Sequence, residues 1–444
     1  MRGLVFYIIS SLFFAFGTVI GSLLPSPHDN LGYASSAGEV VVSTYEGVIN
    51  PVAAEYLHDA LTTAQSAAAK ALIIRLDTPG GLDTSMRLIV KDITAATIPV
   101  VVFVAPSGGR AASAGVFITL SAHVAAMSPG TNIGAAHPVA MGGGEMDKTM
   151  KEKVENDAVA YIKTIAAQRR RNAVWAEDAV RKSLSATETE ALKLKIIDLV
   201  AEDVPTLLRR IHGRTITLTN GSATLETDGT TIREYPMGLR LEMLKALSDP
   251  NVAYLLMTLG TIGLLAELYN PGAILPGIVG AISLILAFYS LQSLPVNYAG
   301  VLLLICGIVF LVLEISVTSY GLLALGGITS MILGGLLLIK SDAPYLQVSL
   351  SFLLPTVLTV AAMVAFAIWL AVTNSRRRPV TGMEGMIGEI GIATTDLTPH
   401  GQVTLHGELW EAVSREPIKR GEEAEVTSVQ GLTLTVAPPH KLSL

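Results

Sequence analysis

The pattern of apolar positions divides the chain into regions of different periodicity. From Glu39 to about Asp203, short β-rich runs such as ALIIRLD and VVVFVA alternate with helix-compatible stretches. Continuous apolar strands of this kind are typical of a buried parallel sheet, so the region predicts an α/β domain. Residues 206–236 show polar and apolar alternation around an Asn-Gly pair, which predicts a small β-hairpin appendage.

Longer apolar segments follow and predict an integral membrane domain. Five of them occupy 252–269, 273–293, 299–318, 321–340 and 348–373, and nearly all reach the length of about 20 residues that a bilayer core requires. The basic cluster Arg376–Arg378 follows the last segment, so the positive-inside rule places that end in the cytoplasm. Five spans then place the α/β domain outside the cytoplasm.

The two ends of the chain have their own patterns. An apolar run at 4–24 follows Arg2, and the small residues Ser35 and Ala37, or Gly32 and Ala34, fit a signal-peptidase site. This pattern predicts a signal peptide, and the alternative is an uncleaved anchor helix. At the other end, alternating strands separated by Gly and Pro predict a small closed β-barrel of OB type. The predicted organisation is therefore a signal at 1–37, an α/β domain at 38–240, a membrane domain at 250–375 and a barrel at 379–444.

Two membrane segments repeat one another at an offset of 47 residues. Leu265-Ala-Glu267-Leu matches Val312-Leu-Glu314-Ile, and a leucine and a glycine follow at equivalent positions. The match indicates an internal duplication. Carboxylates within a membrane are costly, so Glu267 and Glu314 are candidates for function. The alternative interpretation is that both glutamates cap helix ends or loops.

Composition narrows the possible functions. Half of the residues are hydrophobic and 15% are charged, against about 25% in an average soluble domain, so the chain is not wholly soluble. The net charge of −6 argues against a nucleic-acid partner. The single cysteine, Cys306, excludes an intrachain disulfide and a cysteine-rich zinc site. Neither a Walker A loop nor an HExxH motif occurs, so no metal, nucleotide or other cofactor is expected.

Two glycine-rich segments point to acyl-transfer chemistry. Asp77-Thr-Pro-Gly-Gly81 ends a predicted strand, and Gly-Gly at that place allows backbone N–H groups to point at one locus, as an oxyanion requires. Ser113 lies some thirty residues later among Gly and Ala, where a strand gives way to a helix-compatible stretch. It is the candidate nucleophile, and a packed small serine is the alternative.

Two residues are candidates for the base that a nucleophilic serine needs. Lys153 adjoins the apolar stripe of a predicted helix, and it would act near neutral pH only if burial lowered its pKa from about 10.4 by roughly three units. His137 needs no such shift and would complete a triad with Asp157 or Asp83. A capped loop histidine is the alternative interpretation of His137.

The motifs together resemble those of the long-form NfeD family. DTPGG, RAASAG, MSPGTNIGAAHP, KVENDAVAYIK and the distal GMEGMIGEIG and GELWEAVS carry the resemblance, which covers nearly the whole chain after the signal. It implies a membrane-bound serine protease of the ClpP class with a ClpP/crotonase-like α/β fold. It also implies a Ser–Lys dyad of Ser113 and Lys153, with the backbone N–H groups of Gly81 or Gly80 and of Ala114 as the oxyanion hole.

The sequence and the resemblance together predict a membrane-anchored serine endopeptidase. Its expected substrate is a hydrophobic segment of a membrane-associated protein such as a stomatin or prohibitin homologue, and it is expected to contact membrane lipid and to form a homo-oligomer in a bacterial inner membrane. One alternative is a non-catalytic scaffold that organises stomatin-like oligomers. Another is an acyl-CoA enzyme of the crotonase type, which export to a compartment without acyl-CoA argues against.

Overall fold

The protein is described here by a computed structural model that covers residues 38–139, 147–269, 271–272, 274–292, 294–317, 319–341, 346–375 and 383–439. The predicted signal at 1–37 and the basic cluster Arg376–Arg378 lie outside these residues. The chain divides near residue 364 into two units. The first contains the α/β domain with most of the membrane helices, and the second contains the barrel.

A six-stranded sheet forms the centre of the α/β domain, and each strand runs parallel to its neighbours. In spatial order its strands are β11 (Ile232–Tyr235), β1 (Val40–Glu46), β2 (Ala71–Asp77), β3 (Val100–Val104), β5 (Val124–Met127) and β8 (Leu199–Val200). Nearly every position of the middle strands is buried, because helices or a hairpin cover both faces. The predicted buried parallel sheet is confirmed.

Alternate residues of the strands pack into two separate apolar cores. Leu72 and Ile74 face a core built with most of the helices, whereas Ala71 and Ile73 face a core that includes Leu207. The helices of the domain are α1 (Pro51–Ser66), α2 (Asp83–Ala95), α3 (Ala114–Ser121), α4 (Lys148–Gln168), α5 (Ala173–Arg181), α6 (Glu188–Lys193), α7 (Val204–Ile211) and α8 (Leu239–Leu247).

Residues 206–236 form the predicted hairpin and also contribute to the central domain. The hairpin exists, with β9 (Thr215–Leu218) paired to β10 (Gly221–Thr224). Ile216 of β9 packs into the second core beside α7, so the hairpin covers one face of the sheet. The following residues form β11, which extends the central sheet along β1. The exposed face of a parallel sheet needs such a cover, and the local alternation alone does not reveal that role.

Five apolar helices form the membrane region: α9 (Pro250–Tyr269), α10 (Leu275–Leu291), α11 (Tyr298–Ser316), α12 (Leu322–Leu337) and α13 (Leu350–Ser375). Their positions agree with the five predicted segments. By length and composition, the described helices that can cross a membrane are α9, α11 and residues Leu350–Leu370 of α13. The other two, α10 and α12, have 17 and 16 residues and are shorter than the segments predicted from the sequence.

The internal duplication appears as two helical hairpins with equivalent close approaches. In the α9–α10 hairpin a side chain at Gly280 would meet the Leu264 backbone N at 2.7 Å, and in the α11–α12 hairpin one at Gly327 would meet the Gly307 carbonyl oxygen at 2.8 Å. Gly280 and Gly327 are the two glycines that the repeat aligns. Small residues let these helix backbones approach closely, as is common between membrane helices.

The carboxylates of the repeat bind backbone groups at the turns of the hairpins. Glu314 accepts from the N–H groups of Gly321 (2.9 Å) and Ala324 (3.1 Å), at the start of α12, and from the Ser319 hydroxyl. Glu267 accepts from Gly272 N–H at 3.2 Å. These contacts support the interpretation that the glutamates cap loops and helix ends rather than carry out chemistry.

The C-terminal unit contains a closed barrel of five strands in the order β12-β13-β14-β16-β15. Its strands are β12 (Ile390–Ala393), β13 (His400–Leu405), β14 (Glu408–Ser414), β15 (Glu423–Gln430) and β16 (Thr433–Ala437). Alternate residues such as Val403, Leu405 and Leu434 point inward and fill the barrel. The predicted small closed barrel is confirmed, as is the order of an α/β domain, membrane helices and a barrel.

Candidate active site

The DTPGG loop follows β2 and is hydrogen-bonded to the segment that carries the serine. Thr78 N–H donates to the Arg110 carbonyl (2.8 Å), and Ala112 N–H donates to the Thr78 carbonyl (3.0 Å). These bonds join the loop to β4 (Arg110–Ala112), which pairs with β6 (Asn132–Gly134) and through it with β7 (Ser185–Thr187). The two glycine-rich segments that the sequence singled out are therefore neighbours.

Glycine is required in the loop because another backbone lies against it. A Cβ atom at Gly81 would be 2.0 Å from the carbonyl oxygen of Ile49. Ile49 holds the loop from both sides, since its N–H donates to Gly80 O (2.8 Å) and its carbonyl accepts from Leu82 N–H (2.7 Å). The loop position is thus fixed by residues between β1 and α1, which the motif alone does not indicate.

Ser113 lies between β4 and α3 in a strained backbone conformation. Its φ and ψ are 52° and −113°, outside the regions that non-glycine residues ordinarily occupy. Such outliers cost about 1–3 kcal/mol and cluster at functional sites. The conformation is held by the Ser113 N–H bond to Gly134 O (3.0 Å) and by the start of the buried helix α3. A serine at this sharp strand-to-helix turn fits a nucleophile.

Ser113 opens into a cleft of about 400 Å³ that also contains Lys153, Gly81 and Ala114. Buried apolar side chains of α2 and α3, Met86 and Phe117, form part of its wall. Further apolar residues line it from α4 and from the segment before α4; these are Val139, Met150, Val154 and Ala158. The cleft therefore combines a small polar centre with apolar walls, as substrate sites commonly do.

The predicted oxyanion donors differ in their availability. Gly80 N–H already donates to Thr78 Oγ1 at 3.1 Å, and Gly80 does not line the cleft. Gly81 and Ala114 both line it, and Ala114 is the first residue of α3, where helical N–H groups have no partner within the helix. The geometry therefore favours Gly81 and Ala114 over Gly80 as an oxyanion-binding pair.

Lys153 projects from the second turn of α4 into the same cleft. The Lys153 side chain is exposed, so the burial that its use as a base near neutral pH would require is not present in this structure. In the described part of the chain, no hydrogen bond joins Lys153 Nζ to Ser113 Oγ. The structure thus places the two residues at one site without a hydrogen bond between their side chains. Long or unformed catalytic hydrogen bonds are common in active sites without substrate.

The rival base His137 lies next to residues of the cleft but does not itself line it. Its Nδ1 donates to the carbonyl oxygen of Val180 at 2.9 Å, while its neighbours Ala136 and Pro138 line the cleft and His137 does not. The structure thus supports the interpretation of a loop histidine with a structural hydrogen bond. The triad with Asp83 or Asp157 is not formed among the described residues.

Asp83 and Asp157 instead share Arg87, a residue that the sequence analysis did not single out. Arg87 donates to Asp83 (2.7 Å) on its own helix and to Asp157 (2.5 Å) on α4, and its guanidinium lies 4.4 Å from the centre of the Tyr161 ring. The arginine thus ties α2, which follows the DTPGG loop, to α4, which carries Lys153. No local motif marks this link, because Asp157 is 70 positions away in sequence.

A buried histidine lies behind the site at the end of α3. His123 accepts from Val100 N–H through Nδ1 (3.2 Å) and contacts Arg169 through Nε2 (3.2 Å). Burial, together with the positive charges of Arg169 and Arg171, lowers the pKa of His123 to about 3. The imidazole is therefore neutral at physiological pH and serves the structure. No group of three or more metal-ligating side chains occurs among the described residues.

A serine in a strained conformation shares one cleft with a lysine, Gly81 and Ala114, on a chain that also has helices long and apolar enough to cross a membrane. The chain belongs to the NfeD family. Three family models match it in succession: the NfeD1b N-terminal domain at 40–207, the NfeD integral membrane domain at 251–370, and the NfeD-like C-terminal, partner-binding domain at 383–438.

The sequence similarity to two relatives extends over most of the chain. The chain is 37% identical to the membrane-bound protease PH1510 of Pyrococcus horikoshii, over 90% of this chain and 94% of that one. It is 28% identical to the membrane protein NfeD1b of Bacillus subtilis, over 86% and 89%. The expected enzyme class, a membrane-bound peptidase, is confirmed through the Pyrococcus relationship.

A similar solved structure is the 1510-N membrane-bound stomatin-specific protease, determined as a lysine-to-alanine variant in complex with a substrate peptide. It is 34% identical to this chain and covers 48% of this chain and 97% of its own, with a TM-score of 0.44.

Proposed function

We propose that this protein is a serine endopeptidase that uses Ser113 as nucleophile and Lys153 as general base. The observation that carries the proposal is that Ser113, Lys153, Gly81 and Ala114 line one cleft, while the rival base His137 does not line it. The strained backbone of Ser113 supports its assignment as the nucleophile. Because Gly80 N–H already donates to Thr78 Oγ1, Gly81 and Ala114 are the proposed oxyanion donors.

In the proposed mechanism, Ser113 Oγ attacks the scissile carbonyl carbon and its proton passes to the neutral amine of Lys153. The N–H groups of Gly81 and Ala114 stabilise the negative charge that develops on the carbonyl oxygen. Lys153 then gives the proton to the leaving amine, and water hydrolyses the acyl-enzyme. A substrate that fills the cleft would exclude water from Lys153 and favour its neutral form, since burial disfavours charge.

We further propose that the substrate is an apolar segment of a membrane-associated protein of the stomatin or prohibitin type. The apolar walls of the cleft and the attachment to membrane helices support this choice, because a tethered enzyme acts at high effective concentration on neighbours in the same bilayer. The α/β domain is proposed to comprise 38–240 and to lie outside the cytoplasm, with the membrane domain at 250–375 and a cytoplasmic barrel at 379–444.

A fluorophosphonate probe tests the proposed nucleophile, because only an activated serine reacts with it. The full-length protein in detergent should be labelled, and Ser113→Ala should abolish the label. Ser107→Ala is the matched control, since Ser107 lies in the same segment but donates to the Pro129 carbonyl outside the cleft (2.7 Å). An unlabelled wild-type protein that still binds a stomatin homologue would favour the alternative, a non-catalytic scaffold.

A further inference from the structure

The membrane region contributes a residue to the cleft. Leu346, which precedes α13 by four positions, lines the cleft together with Ser113 and Lys153. More than two hundred positions separate Leu346 from Ser113 along the chain, and neither the motifs nor the apolar pattern connects them.

Leu346 is held firmly by the membrane region. It is 8% exposed and belongs to the apolar cluster formed by the membrane helices. Val48 and Leu247 of the α/β domain also pack against this cluster, so the apolar core of the membrane region continues to the base of the α/β domain. A side chain packed in this way keeps its position when a substrate arrives, because immobilised groups lose little further entropy on binding.

The contact between the membrane region and the α/β domain adjoins the DTPGG loop. Val48 precedes Ile49, whose backbone holds Gly80 and Leu82 by the hydrogen bonds described above. A second, smaller depression is lined by Val48, Leu82 and Leu346 together. Leu346 therefore lies where the membrane region, the DTPGG loop and the cleft meet.

The rest of the cleft indicates what Leu346 would face. Val139 and Met150, which also line the cleft, are 49% and 50% exposed, so the cleft presents large apolar surfaces to solvent. Its charged residues other than Lys153 are already paired, since Arg87 binds both Asp83 and Asp157. Exposed apolar surface beside a reactive serine fits an apolar substrate side chain better than a charged one.

We propose that Leu346 forms one wall of a pocket for a large apolar side chain of the substrate, so that the membrane region sets part of the cleavage specificity. This inference rests on the proposed peptidase function. Leu346 is then a specificity-determining residue, supplied to the α/β domain by the segment that leads into α13. The isolated α/β domain would lack this wall and would distinguish less between large and small apolar residues.

The test compares peptide pairs that differ by Leu against Ala at each position around the scissile bond, cleaved by the full-length protein in detergent. At one position the wild type should prefer Leu in kcat/KM. Leu346→Ala should reduce that preference about tenfold, mainly through KM. Leu346→Met, which conserves volume, should restore most of it.

Leu294→Ala is the matched control, because Leu294 is 9% exposed, belongs to the same membrane cluster and does not line the cleft. Fluorophosphonate labelling of Ser113 in each variant reports whether the nucleophile is intact. An unchanged preference in Leu346→Ala, or an equal loss in Leu294→Ala, would overturn the inference while the proposed function stands. A wild type that neither reacts with the probe nor cleaves any peptide would overturn both.

Discussion

Ser113 and Lys153 illustrate how far single residues can be interpreted from sequence. A serine among Gly and Ala after a strand predicted the nucleophile, but its strained backbone follows from the bonds to Gly134 and from the start of α3. The lysine was found from its place beside an apolar stripe, whereas its exposure depends on which residues surround the cleft. His137 stays the alternative base, and its ring is oriented by a hydrogen bond to the carbonyl oxygen of Val180, which is distant in sequence.

The assignment of the base can be tested by substitution. Lys153→Ala should reduce kcat for peptide hydrolysis by about 10²–10⁴, the usual contribution of a general base, and His137→Ala should retain most of the activity. Lys151→Ala is the matched control, since Lys151 is an exposed lysine on the same helix that does not line the cleft. An inactive His137→Ala beside an active Lys153→Ala enzyme would reverse the assignment.

The pH profile gives an independent measurement of the same base. A lysine acts only in its uncharged form, so kcat/KM should keep rising with pH above the range in which a histidine, with its ordinary pKa near 6.5, has already become neutral. A profile that levels off near pH 7 and shifts in His137→Ala would identify the histidine instead.

Acid stability should depend on His123. Because its folded-state pKa is lowered to about 3 from an ordinary value near 6.5, the unfolded state binds the proton more readily. Its contribution to stability is complete above pH 6.5 and is lost as the pH falls toward 3, by roughly 2 kcal/mol between pH 6.5 and 5. Thermal unfolding of His123→Gln in detergent should show a weaker dependence over this range. His400→Gln, at an exposed histidine whose side chain has no ion-pair partner among the described residues, should leave the wild-type dependence unchanged.

The elements were predictable where their pattern is local. Buried strands, apolar helices and barrel strands all follow from periodicity, and the five membrane helices lie where the apolar segments predicted them. The role of the β9–β10 hairpin and the place of β11 were not predictable, because they depend on which sheet face remains uncovered. The lengths of α10 and α12 were overestimated, since apolar residues continue into the turns beyond each helix.

The close approach within each membrane hairpin predicts a position-specific effect of added volume. Gly327→Ala would place a Cβ 2.7 Å from Leu311 Cγ and 2.8 Å from the Gly307 carbonyl, and overpacking of this kind costs typically 1–3 kcal/mol. Gly326→Ala, one residue earlier, meets only Phe310 at 3.8 Å and should be neutral or slightly stabilising, as alanine favours helix. Thermal unfolding of the two variants in detergent should separate them, and equal melting temperatures would contradict the packing argument.

At the scale of the whole molecule, the family and the order of domains were predictable because each region has its own composition and motifs. The contribution of Leu346 to the cleft was not, since it depends on how the α/β domain packs against the membrane helices. Arg87 belongs to the same class of feature: its ion pair with Asp157 spans 70 positions of sequence. Local patterns therefore identify the reactive groups, and long-range packing shapes the site around them.

The predicted side of the membrane for each domain does not depend on whether the two short helices, α10 and α12, cross the bilayer. If all five helices cross, the number of spans is odd, and if only the three long helices cross it is odd as well. An uncleaved N-terminal anchor would leave the α/β domain on the same side as a cleaved signal would. In each case the α/β domain and the residues after α13 are predicted to lie on opposite sides of the membrane, and the positive-inside rule applied to Arg376–Arg378 predicts that the latter are cytoplasmic.

Fusions to alkaline phosphatase, which is active only outside the cytoplasm, test this arrangement in bacterial cells. A fusion after residue 240 should be active and a fusion after residue 380 inactive, with comparable amounts of both proteins shown by immunoblot. A β-galactosidase fusion at the same two positions should give the reverse pattern, because that enzyme is active only in the cytoplasm. Phosphatase activity from both positions, or from position 380 alone, would contradict an odd number of spans with a cytoplasmic C-terminal end. If only the fusion after residue 380 were active, the α/β domain would lie in the cytoplasm, and the substrate would have to reach Ser113 from that side.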